Sequence, residues 1–140
     1  MDNGWHKLFL PHITAANKPF WDNLKSGVFS TTQCKDCHKV TFPPQAMCPY
    51  CFSTAVAWVE LSGKGTVYTF TQNRVVPPAY IKQAPYVTAM IDIEEGPRLL
   101  ARIKNATYEE VKIGQKVQVG FEPLTSEITT YYFSPIDKEQ

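Results

Sequence analysis

Net charge is almost absent from this chain: 14 Lys and Arg stand against 13 Asp and Glu, leaving +1 over 140 residues. That balance gives no basic field of nucleic-acid size, no acidic tail and no membrane-binding face. No apolar run approaches the ~18 residues that a spanning helix needs. No basic n-region followed by an apolar h-region opens the sequence, and neither an internal repeat nor a low-complexity segment is present. Histidine is scarce, with three in all and none after His38. A G-x-S-x-G nucleophile elbow is also missing, and Ser62 has no histidine near it in the sequence. Hydrolytic or acyl-transfer chemistry by this chain alone therefore lacks its usual parts.

The cysteines are few and wholly organised. Cys34-Lys35-Asp36-Cys37 and Cys48-Pro49-Tyr50-Cys51 contain all four, with no thiol left over. A two-residue spacer lets both sulfurs of a pair turn toward one ion while nearby amides donate to them. Two such knuckles make a tetrahedral four-sulfur site suited to zinc, with rubredoxin-type iron as the less favoured occupant. A disulfide framework suits a secreted chain, and a thioredoxin-like pair would use one C-x-x-C in a βαβ setting. Cys34 to His38 also fits the C-x-x-C-H haem attachment pattern, but that leaves the second pair unexplained. The expected ligands are Cys34, Cys37, Cys48 and Cys51, and reduced, metal-bound thiols point to the cytoplasm.

Residues 1–13, with Trp5 and Phe9, are too short and irregular to fold alone, so they cover the domain or reach a partner. Asn17 is placed to cap a helix with Pro19 in its first turn, Phe20, Trp21 and Leu24 on one face, and Gly27 at its stop. That face packs on the ribbon or docks on a second protein. From Val28 a strand leads into the first knuckle. Val40 to Met47 contains Pro43-Pro44, which cannot sit centrally in a sheet, and reads as an exposed apolar arm.

After Cys51 the pattern becomes all-β. Trp58–Leu61 leads through Ser62-Gly63-Lys64-Gly65 into Thr66–Thr71, with the glycines serving a tight turn or bulge. Tyr86–Ile93 and Arg98–Lys104 alternate, Tyr108–Ile113 reads as a helical turn ended by Gly114, and Lys116–Phe121 and Ile128–Phe133 close the set. Five or six short strands with a small helical element predict an OB-type Greek-key barrel. The connection from Gln72 to Pro85 is long for a hairpin and carries Val76, Pro77, Pro78, Tyr80 and Ile81, so it plugs the barrel end or meets a partner. The expected layout is an arm and helix over 1–27, a ribbon over 28–57 and a barrel over 58–140.

The order of these parts resembles a prokaryotic family in which a rubredoxin-like zinc ribbon is fused to an OB-fold. The residues that carry the resemblance are Phe42-Pro43-Pro44 between the knuckles, the run from Trp58 to Val67, Pro85-Tyr86-Val87, Glu95-Gly96-Pro97 and Ile113-Gly114. It spans roughly residues 18–135. His38 and Phe52 stand where a knuckle often has Gly, and Gln45 where many members carry Arg. The resemblance implies a mainly β protein that acts as a small, non-catalytic subunit of a thiolase-fold acyl-CoA enzyme. It also implies help in binding CoA thioesters.

On that reading Arg98, Arg102 and Lys104, with Arg74, would meet CoA phosphates, while Phe42 and Tyr80 line its apolar part. An ordinary solvated strand face is the competing account of the basic strip. A partner surface would draw on Trp5, Phe9, Phe20, Trp21, Pro43, Pro44, Val76, Pro77, Pro78 and Ile81. The alternative is a single-stranded nucleic-acid-binding module that stacks bases on its aromatics, which the near-zero net charge disfavours.

Overall fold

The computed structural model describes residues 13–15, 17–75, 85–124, 126 and 128–136. Helix α1 (Lys18–Lys25) carries Pro19 in its first turn and buries Phe20 and Leu24. Asn17 sits at the N-cap, but its side chain does not cap the helix. Its Oδ1 instead accepts from the Thr14 amide at 2.7 Å, turning back on the incoming chain. Gly27, at φ 81°, takes the left-handed step that ends the helix, and its amide donates to Leu24 O at 3.0 Å.

A three-stranded sheet in the order β2-β1-β3 follows, built from β1 (Ser30–Cys34), β2 (Val40–Thr41) and β3 (Val56–Glu60). The segment Trp58–Leu61, expected at the head of the barrel unit, also has a place in this sheet. Val59 and Trp58 pair with Thr31 and Thr32, so this segment completes the ribbon sheet.

The barrel is closed, with strand order β4-β5-β6-β8-β7. Its strands are β4 (Lys64–Asn73), β5 (Tyr86–Ile93), β6 (Arg98–Ile103), β7 (Lys116–Pro123) and β8 (Thr129–Pro135). Strand β4 is long enough to pair with both β5 and β7, and a bulge between Val67 and Thr69 bends it. Closure comes from the parallel contact of Ile103 with Phe133. A one-turn 3-10 helix, Tyr108–Glu110, sits between β6 and β7 with a capping box in which the Thr107 amide donates to Glu110 Oε1 at 2.8 Å. Alternation along β5 and β6 puts Val87, Ala89, Ile91, Ile93, Leu99, Ala101 and Ile103 inside, as the period-two pattern requires.

Ribbon and barrel share one apolar core. Phe20 of α1, Phe29 before β1 and Phe133 of β8 are buried together, and Phe42 and Tyr131 pack against them. Phe42 therefore does not belong to an exposed arm: its ring lies 5.5 Å from Phe29 and 5.7 Å from Phe20. Buried polar side chains pin the same joint. Asn23 Nδ2 donates to Ser30 Oγ at 2.9 Å, Thr31 Oγ1 donates to Thr41 O, and the Gln45 amide donates to Thr32 Oγ1 at 3.0 Å. One strand thus holds the helix, the second strand and the arm, with each buried hydroxyl satisfied.

Candidate metal centre

Each knuckle is a tight turn closed by its own backbone. The His38 amide donates to Cys34 O at 3.0 Å and the Phe52 amide to Cys48 O at 2.8 Å. Both turns need a left-handed residue after the second cysteine, supplied by His38 at φ 68° and Phe52 at φ 65°. Glycine would adopt this conformation without strain; here two side-chain-bearing residues are held in it.

These turns bring all four sulfurs within 4.8 Å of one another. Cys34 and Cys51 lie 3.5 Å apart, Cys37 and Cys48 3.6 Å. A tetrahedral ion with Zn–S bonds of ~2.3 Å sets S···S separations near ~3.8 Å, so the spacing fits. The Asp36 and Cys37 amides point at Cys34 Sγ (3.3 and 3.4 Å), and the Tyr50 amide at Cys48 Sγ (3.4 Å). Such donors spread thiolate charge and favour the ionised form.

The thiols titrate as two facing pairs. The amide of Cys37, opposed by burial and helped by the Asp36 amide, pulls Cys34 down to about 6. Cys51 gains from the Ser53 amide, but its hydrogen bond with Cys34 and burial outweigh that and push it up to about 12. Cys48 is lowered, its burial outweighed by the Cys51 and Tyr50 amides. Cys37 is raised: the Lys39 amide lowers it, but burial and the sulfurs of Cys48 and Cys34 prevail. In each pair the two sulfurs are thus shifted in opposite directions, Cys34 and Cys48 down, Cys51 and Cys37 up. A divalent ion takes the place of the thiol protons, and four thiolates around it leave no open coordination position for catalysis.

The basic strip is engaged at every cation. Arg98 Nε and Nη2 donate to Asp92 Oδ1 and Oδ2 at 2.6 and 3.3 Å, and its guanidinium stacks 3.4 Å from the Tyr68 ring centre. Arg102 lies over Tyr86 at 4.5 Å. Lys104 pairs with Glu122 at 2.6 Å and faces the Tyr132 ring. Arg74 donates to Gln72 Oε1 at 2.9 Å. Arg102 and Lys104 line one wall of a groove of about 530 Å³ shared with Gln72, Tyr86 and Tyr108. Arg98 and Arg74 do not line it.

Two assignments change. Phe20, expected at a partner surface, is only 4% exposed and is core. Phe42, expected against CoA, is packed into the joint between the two units. Trp21 is half-buried against Phe20, Pro43 is exposed and Pro44 half-buried. Trp5, Phe9, Val76, Pro77, Pro78, Tyr80 and Ile81 lie outside the described residues.

Sequence reasoning missed a half-buried Glu95 in the turn between β5 and β6. Its Oε2 accepts the Ser62 amide at 2.9 Å, tying that turn to the ribbon–barrel connection. Nothing local in the sequence signals a contact across 33 positions. Among the described residues no helix is long and apolar enough to cross a membrane.

Fold and site together define a zinc-ribbon protein carrying an OB-fold barrel. Two family models match in tandem: the ChsH2 rubredoxin-like zinc ribbon domain over residues 21–57 and the ChsH2 C-terminal OB-fold domain over residues 58–122. A DUF35 domain-containing scaffold protein of Methanocaldococcus jannaschii is 39% identical over 112 residues, covering 75% of this chain and 79% of that protein. The chain belongs to this DUF35, or ChsH2-type, family. A probable enoyl-CoA hydratase alpha subunit of Thermomonospora curvata is 29% identical, covering 89% of this chain and 39% of that protein. The benzoylsuccinyl-CoA thiolase subunit BbsA of Thauera aromatica is 33% identical, covering 53% of this chain and 50% of that protein. Among solved structures, a chain of the Ltp2-ChsH2(DUF35) aldolase superposes with a TM-score of 0.80 at 28% identity, covering 90% of this chain and 98% of that one.

Proposed function

We propose that this chain is a non-catalytic, zinc-holding accessory subunit of a thiolase-fold acyl-CoA enzyme. The observation that carries the reading is the convergence of all four cysteines of the chain on one cluster. Those sulfurs are used to hold the ribbon, and His38 is the last histidine in the sequence, so no Cys–His nucleophile remains for thioester chemistry. Reactivity then belongs to a partner. Relatives named as a thiolase subunit, a hydratase subunit and a scaffold protein, together with the match to the chain from an aldolase, support a subunit role.

CoA is the proposed small ligand of the complex. The groove beside Arg102 and Lys104, with Tyr86 and Tyr108 in its wall, offers cations for phosphate and rings for an adenine. Arg98, held by Asp92, contributes to the sheet face and does not reach into that groove.

The experiment is co-expression with a thiolase-fold protein of the same organism, followed by size-exclusion chromatography and a thioester assay. Co-elution, and activity that depends on both chains, is the expected result. Separate elution with full activity in the partner alone overturns the reading.

A further inference from the structure

The second knuckle displays apolar side chains that the described residues leave largely exposed. Met47, Tyr50 and Phe52 fall within six residues and are 48%, 58% and 73% exposed. Phe52 is the most telling. Its backbone is left-handed, at φ 65°, where a bulky residue is strained and glycine is not. At the matching place in the first knuckle stands His38, a type that tolerates this conformation better. A residue that strains the turn and leaves its ring in water gains nothing for the isolated chain. Strain kept at one exposed position is a mark of function.

The mount is rigid. The Phe52 amide is bonded to Cys48 O at 2.8 Å, the Cys48 amide to Ser53 O at 2.8 Å, and the Tyr50 amide to Cys48 Sγ at 3.4 Å. Aromatic rings presented on a fixed turn lose little freedom on docking and are the usual anchors of protein interfaces. The charges beside them are net positive by one, two lysines against one acid. Asp36, which accepts from Ser53 Oγ at 2.5 Å, keeps its charge and stands against exposed Lys35 and Lys39, Lys39 lying 4.6 Å above the Tyr50 ring.

We infer that Met47, Tyr50 and Phe52 form the tip by which this chain seats in an apolar, acid-rimmed socket of its thiolase-fold partner. This rests on the accessory-subunit reading above and adds the surface that makes the contact. Lys35 and Lys39 meet the acidic rim, and the three apolar side chains fill the socket.

The test uses a purified thiolase-fold protein of the same organism as the probe, titrated calorimetrically with the zinc-loaded wild-type chain and its variants. Phe52→Gly removes the ring and relieves the backbone. It is expected to lower affinity at least tenfold while the thermal midpoint of the isolated chain stays the same or rises. Phe52→Asn, which also tolerates the left-handed turn, is expected to lose affinity equally, so a folding defect in either variant does not decide the outcome. Ile113→Ser, removing an apolar residue 69% exposed on the barrel side, is expected to bind as wild type. Wild-type affinity in both Phe52 variants overturns the tip and leaves the subunit reading standing. Absence of binding by the wild-type chain overturns both. Self-association of the chain alone that Phe52→Gly abolishes assigns the tip to a second copy and overturns the proposal.

Discussion

Phe42 of the ribbon meets Tyr131 of the barrel edge to face, with ring centroids 5.9 Å apart and planes at 87°. Phe20 and Phe29 contact both rings, so helix, ribbon and barrel meet at one point. Units joined this way unfold together. Phe42→Ala is expected to cost about 2 kcal/mol, below the range for a fully buried Phe because the ring is half-buried. Urea unfolding followed by tryptophan fluorescence and by far-UV dichroism should shift to a lower midpoint with both signals still coincident. Two separated transitions would show that the joint does not couple the units.

Tyr131 also gives the joint a pH dependence. Burial pushes its hydroxyl from the ordinary 10.0 up to about 12. An unfolded tyrosine ionises near 10 and the folded one only near 12, so between those values the unfolded state binds fewer protons. Stability is therefore full below pH 10 and falls as pH rises toward 12, by an upper figure of roughly 2–3 kcal/mol. Tyr131→Phe should flatten that part of the stability profile. A wild-type slope that survives the substitution would assign it to another group.

The cysteine cluster sets an expectation for metal removal. Purified protein should carry one zinc per chain, and cobalt substitution should give the intense thiolate charge-transfer bands of a tetrahedral four-sulfur site. Cys48→Ser, which alters a buried ligand, should abolish stoichiometric binding. Chelation under reducing conditions should release hydrogen-exchange protection at the Cys34, His38, Cys48 and Phe52 amides before it reaches Ile91 or Val117 in the barrel. A Soret band, or metal retained by the Cys48 variant, would contradict the assignment.

How much of this was legible in the sequence depends on whether the cause was local. The cysteine spacing is local, and so is the alternation of Val87, Ala89, Ile91 and Ile93, which fixes β5 and its inward face. Gly114 after Tyr108–Glu110 is local too. The misread residues owe their places to distant partners. Phe42 looked exposed because it precedes Pro43-Pro44, yet it is drawn inward by Phe29 and Tyr131. Trp58 and Val59 lead into the barrel, as the β pattern that runs on from them indicates, but their pairing with Thr32 and Thr31, which lie far off in sequence, also adds them to the ribbon sheet. Thr31 and Thr32 are polar by type and buried in fact, because a carbonyl and an amide from the second strand and the arm meet their hydroxyls.

Gly63 is a case where the sequence indicated a turn but not the packing. It sits at φ 81°, and a Cβ built there would lie 2.5 Å from Val119 Cγ1. Gly63→Ala adds left-handed strain of roughly 1–2 kcal/mol to an overpacking cost of roughly 1–3 kcal/mol. Gly96→Ala, at φ 120° with nothing within 4 Å, carries backbone strain alone. Thermal or urea melts should therefore rank Gly63→Ala as the more damaging. The reverse order would mean that Val119 moves aside freely.

The groove by Lys104 yields a prediction in which the sign discriminates. Lys104 is held by Glu122 at 2.6 Å, so a phosphate approaching Lys104 competes with that carboxylate. Glu122→Gln removes the competitor and should strengthen CoA binding to the complex, whereas Lys104→Ala should weaken it by roughly tenfold, the scale of one charge-assisted hydrogen bond. Arg98→Ala should leave CoA affinity near wild type, because the Arg98 guanidinium is bound by Asp92 and stacked on Tyr68 away from the groove. Titration of desulfo-CoA and of dephospho-CoA, which lacks the 3′-phosphate, would locate the contact. If Lys104 meets the 3′-phosphate, loss of that phosphate and Lys104→Ala should be non-additive. Equal CoA affinity in Lys104→Ala, Glu122→Gln and wild type would make the basic strip an ordinary solvated strand face, with CoA held by the partner alone.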